Sequence, residues 1–386
     1  MIEILNKIYW FLSPYASNEE KEIYKVIHSK TPQLEIRRLM QSNIFKLCVY
    51  LEYFSKGYKR LSKTNRIQLY RSIDFLRVEF LKFLKDHSFD KKNKIQFFEL
   101  VKIFLHDSKR YEYQESTFLG GMQNPNHLVG DCNQIVTLYV YLWSLIFDIS
   151  ELNIKLPSNH IVLSFNDIDI EATNGSFTKN YTKLPKLDLI ELITVNLLDV
   201  NDFREKVSQV KPKDTLKISE LAYAISSNSE IVRKNLKIAQ NNLGVLYLKQ
   251  KKFALALSMF ELSLNSEMML NTRSTAVEHF VELKKFRKAL KFAGKNPKLI
   301  DFVRSNWVVA EVKKYKFKKA LNVCKGNTEL IKFVNQSEYK WILESLPTSF
   351  DEKNINKHQK NIKKAYVLAQ RLGDNENKKA LKELIR

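Results

Sequence analysis

Apolar residues recur along most of this chain at the three- and four-residue spacing of helices, and one short stretch alternates with a period of two. The strongest helical stripe is Ile67, Tyr70, Ile73, Leu76, Phe80, Leu81 and Leu84, which predicts a helix from about Asn65 to Lys85. Upstream, Ser17 and Glu20 have capping-box spacing and predict a helix over Asn18 to His28. Phe45, Cys48, Leu51 and Phe54 share one side of a helix over Ile44 to Tyr58, which makes Cys48 a small buried hydrophobe. A further helix is expected from Ile95 to His106. His28, His87 and His106 fall at helix ends, where a cation complements the dipole, and are assigned no chemistry.

The pattern changes at Glu112. Gly120-Gly121, Asn124-Pro125-Asn126 and Gly130 mark a loop leading into Asp131-Cys132. Beyond it, Ile135, Leu138, Tyr139, Leu142 and Leu145 predict an amphipathic helix, with Asp131 as its N-cap and Cys132 at its first position. The free N–H groups and positive dipole end there favour a thiolate, the nucleophilic form of cysteine. The period-two stretch follows. Phe165 and Ile168 flank an Asn166-Asp167 turn, and counting back pairs Leu163 with Ile170, Val162 with Glu171 and His160 with Thr173. His160, Val162, Glu171 and Thr173 then share one face, and Glu171 is a diagonal neighbour of His160. Cys132, His160 and Glu171 make a candidate nucleophile, base and orienting acid. Gln114 and Gln123 can supply an oxyanion-hole amide beside the Cys132 N–H, or be turn glutamines facing water; Asp131 and Asn133 flank the thiol. His127 ranks below His160 as base because it lies in the loop.

These residues resemble the transglutaminase-like branch of the papain-like cysteine superfamily over roughly Glu112 to Gly175. The resemblance implies Cys132 as nucleophile, His160 as base and Glu171 as orienting acid. Three departures are Glu171 where the family usually carries Asp, Asn133 in place of Trp, and Val162 in place of an aromatic. They point away from protein cross-linking and leave peptidase, amidase and a retired catalytic core open.

Phe177 to Lys186 is polar and turn-rich, Leu187 to Leu198 predicts a helix lining the site, and Lys211-Pro212-Lys213 reads as a boundary. A repeat then begins. Phe253, Phe286 and Phe317 are each followed three residues later by Ala256, Ala289 and Ala320. Together with Leu243-Gly244 and Tyr247 in the first unit, this resembles the tetratricopeptide repeat. The resemblance implies an α-solenoid, with a concave peptide-binding groove or as a mere extension of the core. Cys324 falls in a repeat helix as packing, and Asn354 to Arg386 predicts two basic helices joined at Gly373-Asp374.

Composition narrows the picture. At 386 residues the chain suits two or three domains, and 44% hydrophobic content argues against disorder. No apolar run reaches the ~18 residues of a membrane span, and the first residues lack the pattern of a secretory signal. Three widely spaced cysteines give neither a disulfide framework nor a metal-ligand set, so no metal or cofactor is expected and a cytoplasmic setting fits. A net charge of +22 admits an anionic partner, nucleic acid among them, but lysines dispersed along helices and the lack of a nucleic-acid motif favour a solvated surface.

The expectation is an α-rich α+β chain. Residues 1–110 form a helical region, 111–212 a papain/transglutaminase-like core with a small antiparallel sheet, and 213–386 the helical repeats. The expected activity is cysteine-dependent acyl transfer, foremost peptidase- or amidase-type hydrolysis, on a protein or peptide. Its alternatives are a non-catalytic interaction scaffold and a basic nucleic-acid-associated protein.

Overall fold

A computed structural model describes residues 13–55, 61–115, 119–158, 160–198, 211–227, 229–350 and 352–385. It is helix-rich with a small antiparallel sheet, and it divides into two compact units, residues 1–246 and 247–386.

The first unit opens with α1 (Asn18–Ile27), α2 (Pro32–Phe54), α3 (Lys63–Asp86) and α4 (Lys94–Lys102). Ser17 caps α1 by accepting from the Glu20 N–H, but the capping box is only half made. The Glu20 carboxylate turns inward instead. It meets Arg66 Nε at 2.7 Å and the Tyr70 hydroxyl at 2.7 Å, and Arg66 stacks 3.8 Å from the Tyr53 ring centre. Both charged residues are fully buried, as such a pair requires hydrogen bonds to every exposed face of the charge. Helix α2 is kinked at Asn43 and starts well before the expected Ile44. The predicted stretch after Phe54 partly lies outside the described residues.

Helix α4 does not end at His106 as a regular helix. It passes into a π-helical turn, Ile103–Asp107, that holds His106. Two short strands follow, β1 (Tyr111–Tyr113) and β2 (Leu128–Gly130), paired in parallel with Tyr113 opposite Gly130. Helix α5 (Cys132–Ser144) comes next, and then a five-stranded antiparallel sheet in the order β6-β5-β4-β3-β7. The strands are β3 (Leu152–Lys155), β4 (Val162–Phe165), β5 (Ile168–Glu171), β6 (Ser176–Thr178) and β7 (Leu187–Asp188). The β4–β5 register is the expected one: Leu163 faces Ile170 and Phe165 faces Ile168, with Asn166 at φ 52° in the turn. His160 sits just before β4 rather than on it. Val162, Ser164 and Asp169 are also fully buried, so the hairpin is covered on that face as well. Lys155 lies there, 2.8 Å from Asp169 and 3.0 Å from the Tyr181 carbonyl.

Helix α5 is buried on every side from Asn133 to Trp143, rather than amphipathic. It packs against α2, β4 and α6 (Ile190–Leu198), and a helix covered all round reads as apolar all round. Trp143 stacks on Phe98 at 5.0 Å and meets Phe97 edge-on at 5.3 Å, tying α5 to α4. The helical residues expected as a separate region and the sheet residues thus share one core. So does α7 (Pro212–Ile225): Ile218, Leu221, Ala222 and Ile225 enter that core, as does Val232 of α8 (Ser229–Lys249). The units therefore part at residue 246, inside α8, and not at Lys211-Pro212.

The second unit alternates short and long helices: α9 (Phe253–Leu262), α10 (Ser266–Glu282), α11 (Phe286–Ala293), α12 (Pro297–Val312), α13 (Phe317–Cys324) and α14 (Thr328–Glu344), then α15 (Glu352–Leu372) and α16 (Asn375–Glu383). Each packs on the next, and the long helices α10, α12 and α14 pack in succession. Ala256, Ala289 and Ala320 are fully buried, as small residues at close helix crossings should be. Lys251, Lys284 and Tyr315 adopt φ near +55°, each two residues before a repeat phenylalanine. Asn265, Asn296 and Asn327 cap the long helices, each accepting from the N–H three residues on. Cys324 is buried, as expected.

Candidate active site

The approach to Cys132 is held from beneath. The Gly130 carbonyl accepts from the Tyr111 hydroxyl and from the Gln114 N–H, each at 2.9 Å. Gly130 ends a strand rather than making a turn; a Cβ there would press on Gln134 at 3.1 Å and Met122 at 3.2 Å. Asp131 caps α5, accepting from the Asn133 N–H at 3.0 Å, while Gln134 Oε1 accepts from the Asp131 N–H at 3.1 Å. This reciprocal cap fixes the first turn, with Cys132 at its first position and half-buried. Its sulfur lies 3.9 Å from Asn133 Oδ1.

His160 and Glu171 are brought together. The imidazole Nε2 meets Glu171 Oε1 at 2.8 Å, and the same oxygen accepts from the Thr173 hydroxyl at 2.7 Å. The Tyr181 hydroxyl reaches the other carboxylate oxygen at 3.5 Å. With Nε2 engaged, Nδ1 is the nitrogen left to exchange a proton.

Burial raises the Tyr113 phenol pKa, with smaller contributions in the same direction from Cys132, Glu115, Asp131 and Glu171. Tyr111 is raised by burial and by Asp131, Tyr113 and Cys132. Neither tyrosine nor Tyr181 stands out in the sequence. The signal for Tyr113 is the parallel pairing that sets it opposite Gly130, and two three-residue strands do not announce such a pairing.

His106 also differs from its expected role. His28 and His87 each bond a carbonyl of their own helix, at 2.8 and 2.9 Å. His106 instead points inward. Its Nε2 meets the Tyr139 hydroxyl of α5 at 3.1 Å, its ring lies edge-on to Tyr111 at 5.3 Å, and the Ala172 backbone bonds it. Burial pushes its pKa down to about 4, keeping it neutral between α5 and the residue after Glu171.

Gln114 reaches the site region through its backbone. Gln123 lies past the turn Leu119–Met122 and makes no hydrogen bond to Cys132, His160 or Glu171 among the described residues. His127 pairs with Glu112 at 3.3 Å on the surface, apart from the His160–Glu171 pair. Cys48 is a packing thiol, pushed up to about 12 by burial. Among the described residues no cluster of ligands suits a metal ion, and no helix is long and apolar enough to cross a membrane. Scans of family models, of curated proteins and of solved structures return no match to this chain.

Proposed function

We propose that the chain is a cysteine-dependent acyl-transfer enzyme, foremost a peptidase- or amidase-type hydrolase, with Cys132, His160 and Glu171 as its triad. The observation that carries this reading is the 2.8 Å His160–Glu171 bond, taken with Cys132 at the first position of the capped helix α5. The His160 Nδ1 takes the Cys132 thiol proton, and the thiolate Sγ attacks the substrate carbonyl carbon. The proton then passes to the leaving amine as the C–N bond breaks, leaving a thioester on Cys132. Water attacks that thioester with His160 again as base, releasing acid and thiol. Glu171 holds the ring by Nε2 and stabilises the imidazolium that forms in each half-reaction. In this reading the Cys132 N–H at the start of α5 donates to the oxyanion. The resemblance to the transglutaminase-like branch supports the same assignment, and Asn133 beside the thiol, where cross-linking members carry Trp, supports hydrolysis over cross-linking.

The test is covalent labelling with a peptide carrying a thiol-reactive acyl electrophile. Wild type is expected to be labelled at Cys132, Cys132→Ala not at all, and His160→Ala more slowly by on the order of 10²-fold or more. Undiminished labelling of Cys132→Ala sinks the assignment. Intact labelling with no turnover of any acyl substrate favours a retired core.

A further inference from the structure

The positive charge is not spread evenly over the chain. Residues 247–386 hold 30 of the 64 Lys and Arg but 14 of the 42 Asp and Glu, so +16 of the net +22 belongs to the helical-repeat unit. Two adjoining clefts concentrate it. The first, about 370 Å³, is lined by Lys284, Lys285, Phe286, Arg287, Lys288 and Lys314 over Trp307 and Glu311. The second, about 550 Å³, is lined by Tyr315, Lys316, Phe317 and Lys318 over Trp341 and Glu338. Lys319 lines both.

The two clefts share a pattern, although the glutamate follows the tryptophan in the first and precedes it in the second. Lys284-Lys285-Phe286-Arg287-Lys288 and Tyr315-Lys316-Phe317-Lys318-Lys319 stand 31 residues apart, each turning through a positive φ at its first residue. In each, the buried phenylalanine packs on a tryptophan of the following long helix: Phe286 on Trp307 at 5.6 Å and Phe317 on Trp341 at 5.7 Å. In each, a buried glutamate on that helix is neutralised by a lysine from the next element. Glu311 takes Lys319 at 2.8 Å and Trp307 Nε1 at 3.1 Å; Glu338 takes Lys364. Each carboxylate thus has its own lysine, although Glu311 Oε2 is buried without a hydrogen-bond partner. Lys284, Lys285, Arg287, Lys288, Lys314, Lys316 and Lys318 are exposed, and none makes an ion pair among the described residues. Beside them Tyr315 is 65% exposed and Trp341 39% exposed, so a broad aromatic surface adjoins the cations.

We propose that this face of the repeat unit binds single-stranded nucleic acid, with phosphates along the lysine row and bases stacked on Tyr315 and Trp341. Six of the seven unpaired cations are lysines. A lysine ammonium meets phosphate as a point charge, and a positively charged groove that tracks the backbone is one half of a single-strand site. Exposed rings between cations match a strand whose bases stack without regard to sequence. An acidic peptide would use the charges and leave the rings idle. Recurrence at 31 residues gives a track that several nucleotides can occupy together. This inference is independent of Cys132.

The experiment is fluorescence anisotropy of the full chain with end-labelled 20-mers of oligo(dT) and oligo(U), titrated across about 50–300 mM salt. Binding is expected to weaken with a log–log slope near −0.7 per phosphate neutralised. Lys285→Gln/Lys316→Gln/Lys318→Gln is expected to reduce that slope by about 2. Tyr315→Asn keeps a residue that tolerates positive φ, and is expected to weaken binding about 5- to 100-fold with the slope unchanged. Quenching of tryptophan fluorescence by the oligonucleotides, and none by inorganic polyphosphate, is expected from a base over Trp341. No binding at 50 mM salt overturns the proposal. So does a Tyr315→Asn variant that binds as tightly as wild type, or a polyglutamate of equal charge that competes as well as the oligonucleotide.

Discussion

Glu171 is the residue on which the site's geometry turns. Its two oxygens collect His160, Thr173 and Tyr181, so the carboxylate is steadied by its neighbours and the ring is steadied by it. Glu171→Gln is expected to lower the rate of Cys132 acylation by ~10-fold or more, since a neutral amide no longer stabilises the imidazolium. Tyr181→Phe removes a long 3.5 Å contact and is expected to cost less than threefold; acylation rates with the same electrophile check both. His106 carries a different expectation. Its folded pKa, about 4, lies below the ordinary 6.5, so between those values the unfolded chain binds a proton that the folded chain refuses. Stability should therefore fall as pH drops from about 6.5 and level off below about 4. His106→Gln should flatten that part of the profile, read as urea midpoints at pH 7 and pH 5; an unchanged slope contradicts the buried neutral ring. The sequence places His160 and Glu171 together because a two-residue turn dictates their register. It hides the role of His106, because a π turn at a helix end looks like an ordinary terminus until Tyr139 and Ala172 are seen around it.

At the scale of elements, α5 and the β4–β5 hairpin were legible for opposite reasons. The hairpin has period two, so its register follows from its turn. Helix α5 has a cap, a cysteine and an apolar run, so its start follows from Asp131. Its complete burial did not follow, because the cover comes from α2 and α6, far away in sequence. Lys155–Asp169 and Glu20–Arg66 were hidden in the same way: each joins elements by a buried ion pair that no local pattern signals. Breaking such a pair strands a charge. Arg66→Met is expected to destabilise the first unit by about 3–5 kcal/mol, and adding Glu20→Gln should return part of that loss. In the repeat unit, Asn296→Ala should cost about 1 kcal/mol and Asn296→Ser far less, since Ser caps as well as Asn. Urea unfolding checks both sets, and equal effects of Ala and Ser at residue 296 would contradict the cap.

For the whole molecule, the helical majority and the small sheet were readable from periodicity. The division point was not. Lys211-Pro212 has the composition of a linker, yet the helix that Pro212 opens sends Ile218, Leu221, Ala222 and Ile225 into the first core. A chain ending at residue 211 should therefore lose cooperative thermal unfolding, while one ending at residue 249 retains it. Equal melting of the two would restore the boundary to Pro212. The charge division is likewise invisible to a total: +22 reads as a dispersed lysine bias until +16 of it is assigned to the second unit. The first unit, which carries Cys132, keeps the remaining +6.

The central claim is that His160, held by Glu171, makes Cys132 a thiolate nucleophile. The most direct measurement is the pH profile of alkylation by iodoacetamide, followed for each cysteine by mass spectrometry, in wild type and in His160→Ala. The expected result is rapid reaction of Cys132 well below pH 8.5, the midpoint of a free thiol, shifting upward in the variant while Cys48 stays unreactive in both. A Cys132 profile centred near pH 8.5 and unmoved by His160→Ala would contradict it.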